Sequence, residues 1–260
     1  MTRLRIAAIS DIHGNLPALE AVLDAIAQVQ ADVIVNLGDI LSGPLWPRET
    51  ARRLRALALP TLAGNHERQV LTQPRERMGA ADRHAAEQID ADDRAWLASL
   101  PATLRLSAEV HCCHGTPRSD LEYFLETAVA GFGTDGSPGV RAATAREVAD
   151  RLGDWRPPLV LCGHTHMPRM LQAGATLVVN PGSVGLQAFE ETHAPIHVME
   201  TGTPLARWAL LTRTTAGWSA ALQATPYDWE SAAARAELNG RGDWADALRT
   251  GRIGRPRADQ

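Results

Sequence analysis

Five times before residue 170, an apolar run in this chain stops abruptly at a turn carrying Asp, Asn or His. Residues 4–10 run into DIHGN, 32–37 into Gly38 and Asp39, 59–63 into GNHE, 109–113 into His114, and 158–162 into GHTHMP. Short apolar runs bounded by polar turns read as buried strands. Between the first two, Asn15 is placed to cap a helix and Pro17 to sit in its first turn, while Leu19, Val22, Leu23 and Ile26 recur at helical spacing. Residues 47–57 form a second helix, so 4–63 reads as a βαβαβ unit. Right-handed crossovers of this length build a largely parallel sheet that gathers ligands beyond the carboxyl ends of its strands. Residues dozens of positions apart then meet on one rim.

Further along, helices are expected at 74–88 and at 92–100, the latter with Asp90 as cap and Asp93 as the acidic third residue. Strands are expected at 103–106 and 109–113. Helices at 118–130 and 140–152 flank a glycine-rich stretch, GFGTDGSPG, whose composition suits a mobile segment near a site. Two strands bracket Ala173 and Gly174, and antiparallel strands at 194–199, 206–211 and 218–222 imply a second sheet. Residues 229–238 and 244–248 read as helices, and GRIGRPRADQ as a polar tail that frays. The expected organisation is one domain over 1–225, a helical extension over 226–250 packed on it, and a flexible tail over 251–260. That extension can cover a sheet edge or support a homo-oligomer interface.

Composition narrows the function. A formal charge of -4 leaves no broad basic field for nucleic acid. Three cysteines, Cys112, Cys113 and Cys162, cannot form a disulfide framework and fit strand packing in a reducing compartment. No segment approaches 18 apolar residues, so no membrane span is expected and a soluble cytoplasmic protein is the default. With 260 residues the chain buries a core without help, so a metal here would serve chemistry rather than folding.

The polar turns supply the chemistry. Asp11 and His13 are one residue apart, and His164 and His166 repeat that spacing after Gly163, which permits a sharp turn. Asp39, Asn65 and His114 each follow an apolar run. Two carboxylates and four imidazoles crowded together without a cation would repel and suffer desolvation, whereas divalent ions turn them into ligands. Mixed oxygen and nitrogen donors suit manganese, iron, zinc or nickel without selecting among them.

Taken in order, DIH at 11–13, GD at 38–39, GNHE at 64–67, His114 in HG and GHTH at 163–166 closely resemble the calcineurin-like metallophosphoesterase superfamily. The resemblance spans residue 4 to about 211, and NPGS at 180–183 is similar to its small bacterial phosphodiesterase branch. It implies an α/β fold, a four-layer αββα sandwich with two mixed sheets, and two divalent transition-metal ions. One ion would take Asp11, His13, Asp39 and His166; the other would share Asp39 and take Asn65, His114 and His164. A water or hydroxide between them would attack phosphorus. His66 would stand beside the metals, stabilising phosphoryl oxygens or protonating the departing alcohol, with Glu67 orienting it or capping backbone.

Departures from the pattern bear on substrate. Protein serine/threonine phosphatases continue GD with two residues and then Asp-Arg-Gly; here Ser42 and Gly43 replace the carboxylate and the arginine. Neither can grip phosphate bidentately, which favours a small-molecule or nucleotide phosphodiester over a phosphoprotein. Phosphomonoesterase or protein phosphatase activity and a non-enzymatic metal-binding scaffold are the alternatives. Arg118 and Arg68 are candidate phosphate contacts or surface charges, Tyr123 and Phe124 a candidate aromatic wall, and Trp46 a candidate for the site mouth.

Overall fold

The computed structural model describes residues 4–254. Strand β1 (Arg5–Ile9) sets the layering, because Ile6 and Ala8 are buried on one face and Ala7 and Ile9 on the other. A strand with no wet face must be covered twice. Helix α1 (Leu16–Val29) supplies one cover: Asn15 accepts the Ala18 N–H as its cap, and Leu19, Val22, Leu23 and Ile26 are buried as the spacing predicts. Strand β2 (Val33–Asn36) runs parallel to β1, and α2 (Pro47–Leu57) has its expected bounds.

Residues 59–63 depart from expectation. Only Thr61 bridges Asn36, because Pro60 has no N–H to extend a ladder and the Ala63 N–H turns to the Pro101 carbonyl. The GNHE turn is itself the start of a helix, α3 (Asn65–Thr72), opened by Glu67 accepting the Gly64 N–H. The helix expected over 74–88 is broken by Pro74 and Gly79 around a 3-10 turn, Arg75–Arg77, leaving α4 (Ala80–Gln88). Helix α5 (Ala91–Ser99) begins at the predicted cap, Asp90 and Asp93 each accepting the other's N–H.

After β3 (Thr103–Arg105) and β4 (Val110–Cys113), the two expected helices are largely replaced. Residues 118–125 are irregular, β5 (Glu126–Ala128) pairs antiparallel with β6 (Val140–Ala142), and only α6 (Ala145–Leu152) is helical. Thr144 and Glu147 cap one another's backbone there, fixing the helix start five residues later than expected at 140. Then follow β7 (Leu159–Leu161), β8 (Arg169–Ala173), β9 (Thr176–Asn180), β10 (Ala188–Glu191), β11 (His197–Glu200), β12 (Ala206–Thr214), β13 (Gly217–Thr225), α7 (Trp229–Leu238) and α8 (Gly242–Thr250).

Two mixed sheets result, in strand orders β13-β12-β1-β2 and β3-β4-β7-β9-β8, with β10–β11 and β5–β6 as separate hairpins. Ile6, Ala8, Val35 and Leu211 of one sheet pack on Val110, Leu159, Leu161 and Val179 of the other, forming the central core. Outside one sheet lie α1 and α2 over Ala7 and Ile9; outside the other, Val148 and Leu152 of α6 cover Val160 and Val178. This is the αββα layering. Helices α7 and α8 bury Ala232, Ala236, Trp244 and Leu248 against Leu45 and Leu186. From residue 255 the expected tail lies outside the described residues. Among the described residues no helix is long and apolar enough to cross a membrane.

Candidate metal centre

The donors stand where the strands of both sheets end. Asp11 and His13 follow β1, Asp39 follows β2, Asn65 opens α3, His114 follows β4, and His164 and His166 follow β7. Their ligand atoms form two groups, Asp11 with His13 and His166, and Asp39 with His114 and His164, each with atoms within 4.8 Å of one another. Asn65 Oδ1 joins the second at 3.1 Å from His114 Nε2. All seven residues singled out as ligands are therefore brought together.

The backbone is bent to achieve this. Asp11, His13, Asp39, His164 and His166 have φ between 53° and 71°, five of the eight non-glycine residues with positive φ among those described. Each such conformation costs on the order of 1–3 kcal/mol and persists where surrounding structure enforces it. Glu67 is one enforcer: its carboxylate accepts the N–H groups of Asp39, Ile40 and Gly64, tying the GD turn to the GNHE helix. Glu67 thus caps backbone and does not orient His66. Gly64 allows the two turns to meet, since a Cβ there would lie 2.2 Å from Asp39 Oδ1.

Tautomers follow from partners that can only accept. His13, His114 and His166 each place Nδ1 2.6–2.8 Å from a backbone carbonyl, of Ser42, Leu37 and Leu186 respectively, so each Nδ1 carries the proton. The Nε2 lone pairs are left facing inward. His13 Nε2 and His166 Nε2 lie 3.0 Å apart, and His114 Nε2 lies 3.0 Å from Asp39 Oδ2. Lone pairs aimed at lone pairs in a buried space call for a cation between them. His164 is reversed: Nε2 faces the Leu121 carbonyl at 3.2 Å, leaving Nδ1 as its free atom. The donor set fits divalent metal.

Charge among the donor groups tells the same story. Burial pushes His13 down to about 4, His164 down to about 3 and His166 well below its ordinary value, so all three present neutral rings near pH 7. Burial, helped by Asp39 and opposed by His114, raises Asp11 to about 7. For Asp39 burial is outweighed by His114, His66 and His13, which hold it well below the carboxylate range. His114 resists burial through Asp39 and Asp11 and rises to about 10. A proton on His114 Nε2, shared with Asp39 Oδ2 at 3.0 Å, thus stands in for the cation that this lone pair would otherwise bind.

His66 lies at the edge of this cluster. Its Nδ1 is 2.7 Å from Asp82 Oδ1 and its Nε2 4.0 Å from Asp39 Oδ2. Against burial, Asp39 and Asp82 raise it to about 9. Sequence reading missed Asp82, which looks like any acid in a helix first turn.

The centre floors a cleft of about 1050 Å³ lined also by His66, Tyr123, Phe189 and Trp244. Of the two readings open for the arginines, surface charge holds: Arg118 pairs with Glu122 and Arg68 with Asp120, and neither arginine lines the cleft. Phe124 is buried in the core beneath the second sheet, so Tyr123 alone of that pair reaches the cleft. Trp46 is replaced at the mouth by Trp244, because Trp46 caps α2 and packs under Arg235. Residues 131–139, the glycine-rich stretch, contribute nothing to the lining.

A family model described as the calcineurin-like phosphoesterase superfamily domain matches residues 4–202. The chain belongs to that superfamily of metal-dependent hydrolases. A metallophosphoesterase from Sphaerobacter thermophilus is similar in structure, with a TM-score of 0.72 and 26% identity over 95% of this chain and 100% of that one. A hypothetical protein from Pyrococcus horikoshii has the same fold, with a TM-score of 0.70 and 17% identity over 96% and 100%. An uncharacterized protein of Methanocaldococcus jannaschii is 42% identical over 71 residues; that match covers 27% of this chain and 29% of the curated relative's length.

Proposed function

We propose that the protein is a dinuclear metal-dependent phosphoesterase acting on small-molecule or nucleotide phosphodiesters. The observation that carries this reading is the pair of donor groups, Asp11–His13–His166 and Asp39–His114–His164, with lone pairs converging from both sheets. Asp11, His13, Asp39 and His166 would hold one ion; Asp39, Asn65, His114 and His164 the other, with Asp39 shared. Manganese, iron, zinc and nickel all suit this set. Bound there, two ions supply charge stabilisation for a phosphoryl group and an acidified water as nucleophile.

The remaining work falls to the chain itself. Asp82 holds His66 through Nδ1, so Nε2–H is free to meet a phosphoryl oxygen or to protonate the departing alkoxide. Asp39 Oδ1 accepts the His66 N–H at 3.0 Å, fixing the general acid relative to the shared ligand. Ser42 and Gly43 in place of an acid and an arginine support a diester rather than a phosphoprotein substrate. Three buried free thiols support a cytoplasmic location.

The test is metal reconstitution of chelator-treated protein with each of the four metals, followed by aryl diesters, aryl monoesters, cyclic nucleotides and phosphopeptides. About two ions per chain and preferred cleavage of diesters are expected. A tenfold or greater preference for monoesters overturns the diester assignment. No cleavage of any ester at full metal occupancy overturns the enzyme and leaves a metal-binding scaffold.

A further inference from the structure

Three of the four donor imidazoles each have an aromatic ring set edge-on against them, from three different parts of the chain. Trp244 of α8 stands 5.8 Å from His13 between ring centroids, Phe189 of β10 stands 4.7 Å from His166, and Tyr123 stands 5.1 Å from His164. All three line the cleft. Tyr123 and Phe189 lie within the family match, and Trp244 joins them from α8, beyond residue 202 where that match ends.

Each ring is fixed. Gly43 makes room for Trp244: a Cβ there would lie 3.0 Å from the indole and 2.4 Å from the His13 carbonyl oxygen. Arg241, held by Asp243, lies 5.6 Å from the indole centroid. The Tyr123 hydroxyl donates to His197 Nε2 at 2.9 Å, because His197 Nδ1 already donates to the Pro195 carbonyl at 2.7 Å. Its polar end is thereby tied to the β10–β11 hairpin. Phe189 is half-buried, with no polar end to satisfy.

The two arginines lining the cleft are committed elsewhere. Arg151 donates to the Phe124 and Glu126 carbonyls and to Thr127 Oγ1, and Arg241 to both oxygens of Asp243. Among polar neighbours such as Gln69, Thr192 and His193, the cleft sets three aromatic rings beside the donors, a surface that suits a flat ring.

Building on the phosphoesterase reading of this site, we infer that the substrate is a phosphodiester whose alcohol carries a flat aromatic group of nucleobase size, received by Phe189, Tyr123 and Trp244. Phe189 is then a specificity-determining residue.

The test uses the metal-loaded, full-length protein and two five-membered cyclic diesters, a nucleoside 2′,3′-cyclic phosphate and glycerol 1,2-cyclic phosphate. Both present a five-membered cyclic diester, and the glycerol ester lacks the base together with the sugar ring that carries it. The nucleoside ester is expected to have a KM about tenfold lower or better, as stacking on aromatic side chains provides. Phe189→Ala should raise that KM about tenfold while metal content, kcat and the glycerol ester's KM stay within about twofold; Phe189→Leu, which keeps bulk in the hairpin, should fall between. Equal KM values for the two esters overturn the inference. So does a Phe189→Ala effect shared equally by both, which would mean that the ring only props His166. Cleavage of bis(p-nitrophenyl) phosphate without that discrimination rejects the aromatic subsite alone, whereas failure to cleave any of the three rejects the phosphoesterase reading beneath it.

Discussion

His66 and Asp82 meet at 2.7 Å from consecutive helices, α3 and α4, across the 3-10 turn Arg75–Arg77. Ser42, where protein phosphatases have a carboxylate, offers its backbone oxygen to His13 instead, at 2.6 Å. The GD loop of this chain therefore orients His13, a proposed metal donor, while His66 is held by Asp82, 16 positions further along the chain. Asp82 is buried, with 6% of its side chain exposed, while His66 keeps 29% of its own open toward the cleft.

Replacing Asp82 with Asn keeps the volume but removes the carboxylate that orients His66 through Nδ1 and favours its protonated form. We expect unchanged metal content and KM, with kcat lowered about 10- to 100-fold, in the range of general-acid contributions. The loss should grow as the leaving alcohol becomes more basic, because a good leaving group needs no proton. A uniform loss across leaving groups, or one that tracks metal content, would refute the orienting role.

Asp39→Asn and His166→Ala should separate shared from single ligands. The first removes an anionic donor from both proposed ions and should leave the protein nearly metal-free; the second should leave about one ion per chain. Elemental analysis after dialysis against trace metal reads both. Equal occupancy in the two variants would contradict the assignment of Asp39 as the bridge.

What could be read in advance and what could not divides along a physical line. Asp11, Asp39, His114, His164 and His166 follow apolar strands, and a strand that stops at a polar turn declares itself within about ten residues. Asp82 makes no such declaration, because an acid in the first turn of α4 is explained by the helix dipole alone. Trp244 reaches Gly43 across 201 positions, through the packing of α8 on Leu45 and Leu186. Residues 126–128 carry helical periodicity yet form a strand, since Val140–Ala142 is there to pair with them and Arg169 neutralises buried Glu126. Tertiary partners override local preference wherever they satisfy more backbone groups.

Metal-free protein should lose stability as pH rises through the alkaline range. His66 at about 9 and His114 at about 10 lie above the unfolded value of 6.5, so the folded state holds protons that the unfolded state has released. Stability from these groups is complete below about pH 6.5 and falls as pH climbs to the folded values, with a slope approaching about two protons. Denaturant titrations in chelator between pH 6.5 and 9.5 check this. His66→Gln should flatten the slope by about one proton. A flat profile for the unmutated protein would show that neither imidazole retains its proton in the fold.

Gly163 lets the second sheet's turn close on the end of the first. Its N–H donates within its own sheet to the His114 carbonyl at 2.7 Å, the His164 N–H reaches Asp11 Oδ1 at 3.2 Å, and a Cβ added to Gly163 would lie 2.0 Å from Ser10 Oγ and 3.0 Å from Asp11 Oδ2. Gly163→Ala must therefore push β1's terminus away from the GHTH turn, at a cost of about 1–3 kcal/mol typical of overpacking. Because Asp11 moves with Ser10, metal affinity should fall together with the melting temperature. Removing the Ser10 hydroxyl in the double variant Ser10→Ala with Gly163→Ala deletes the worst contact, leaving neighbours at 3.0–3.1 Å that small shifts can relieve. It should recover most of the stability and part of the metal binding. Recovery of neither would mean that the glycine is required for its backbone conformation rather than for the close approach of Ser10.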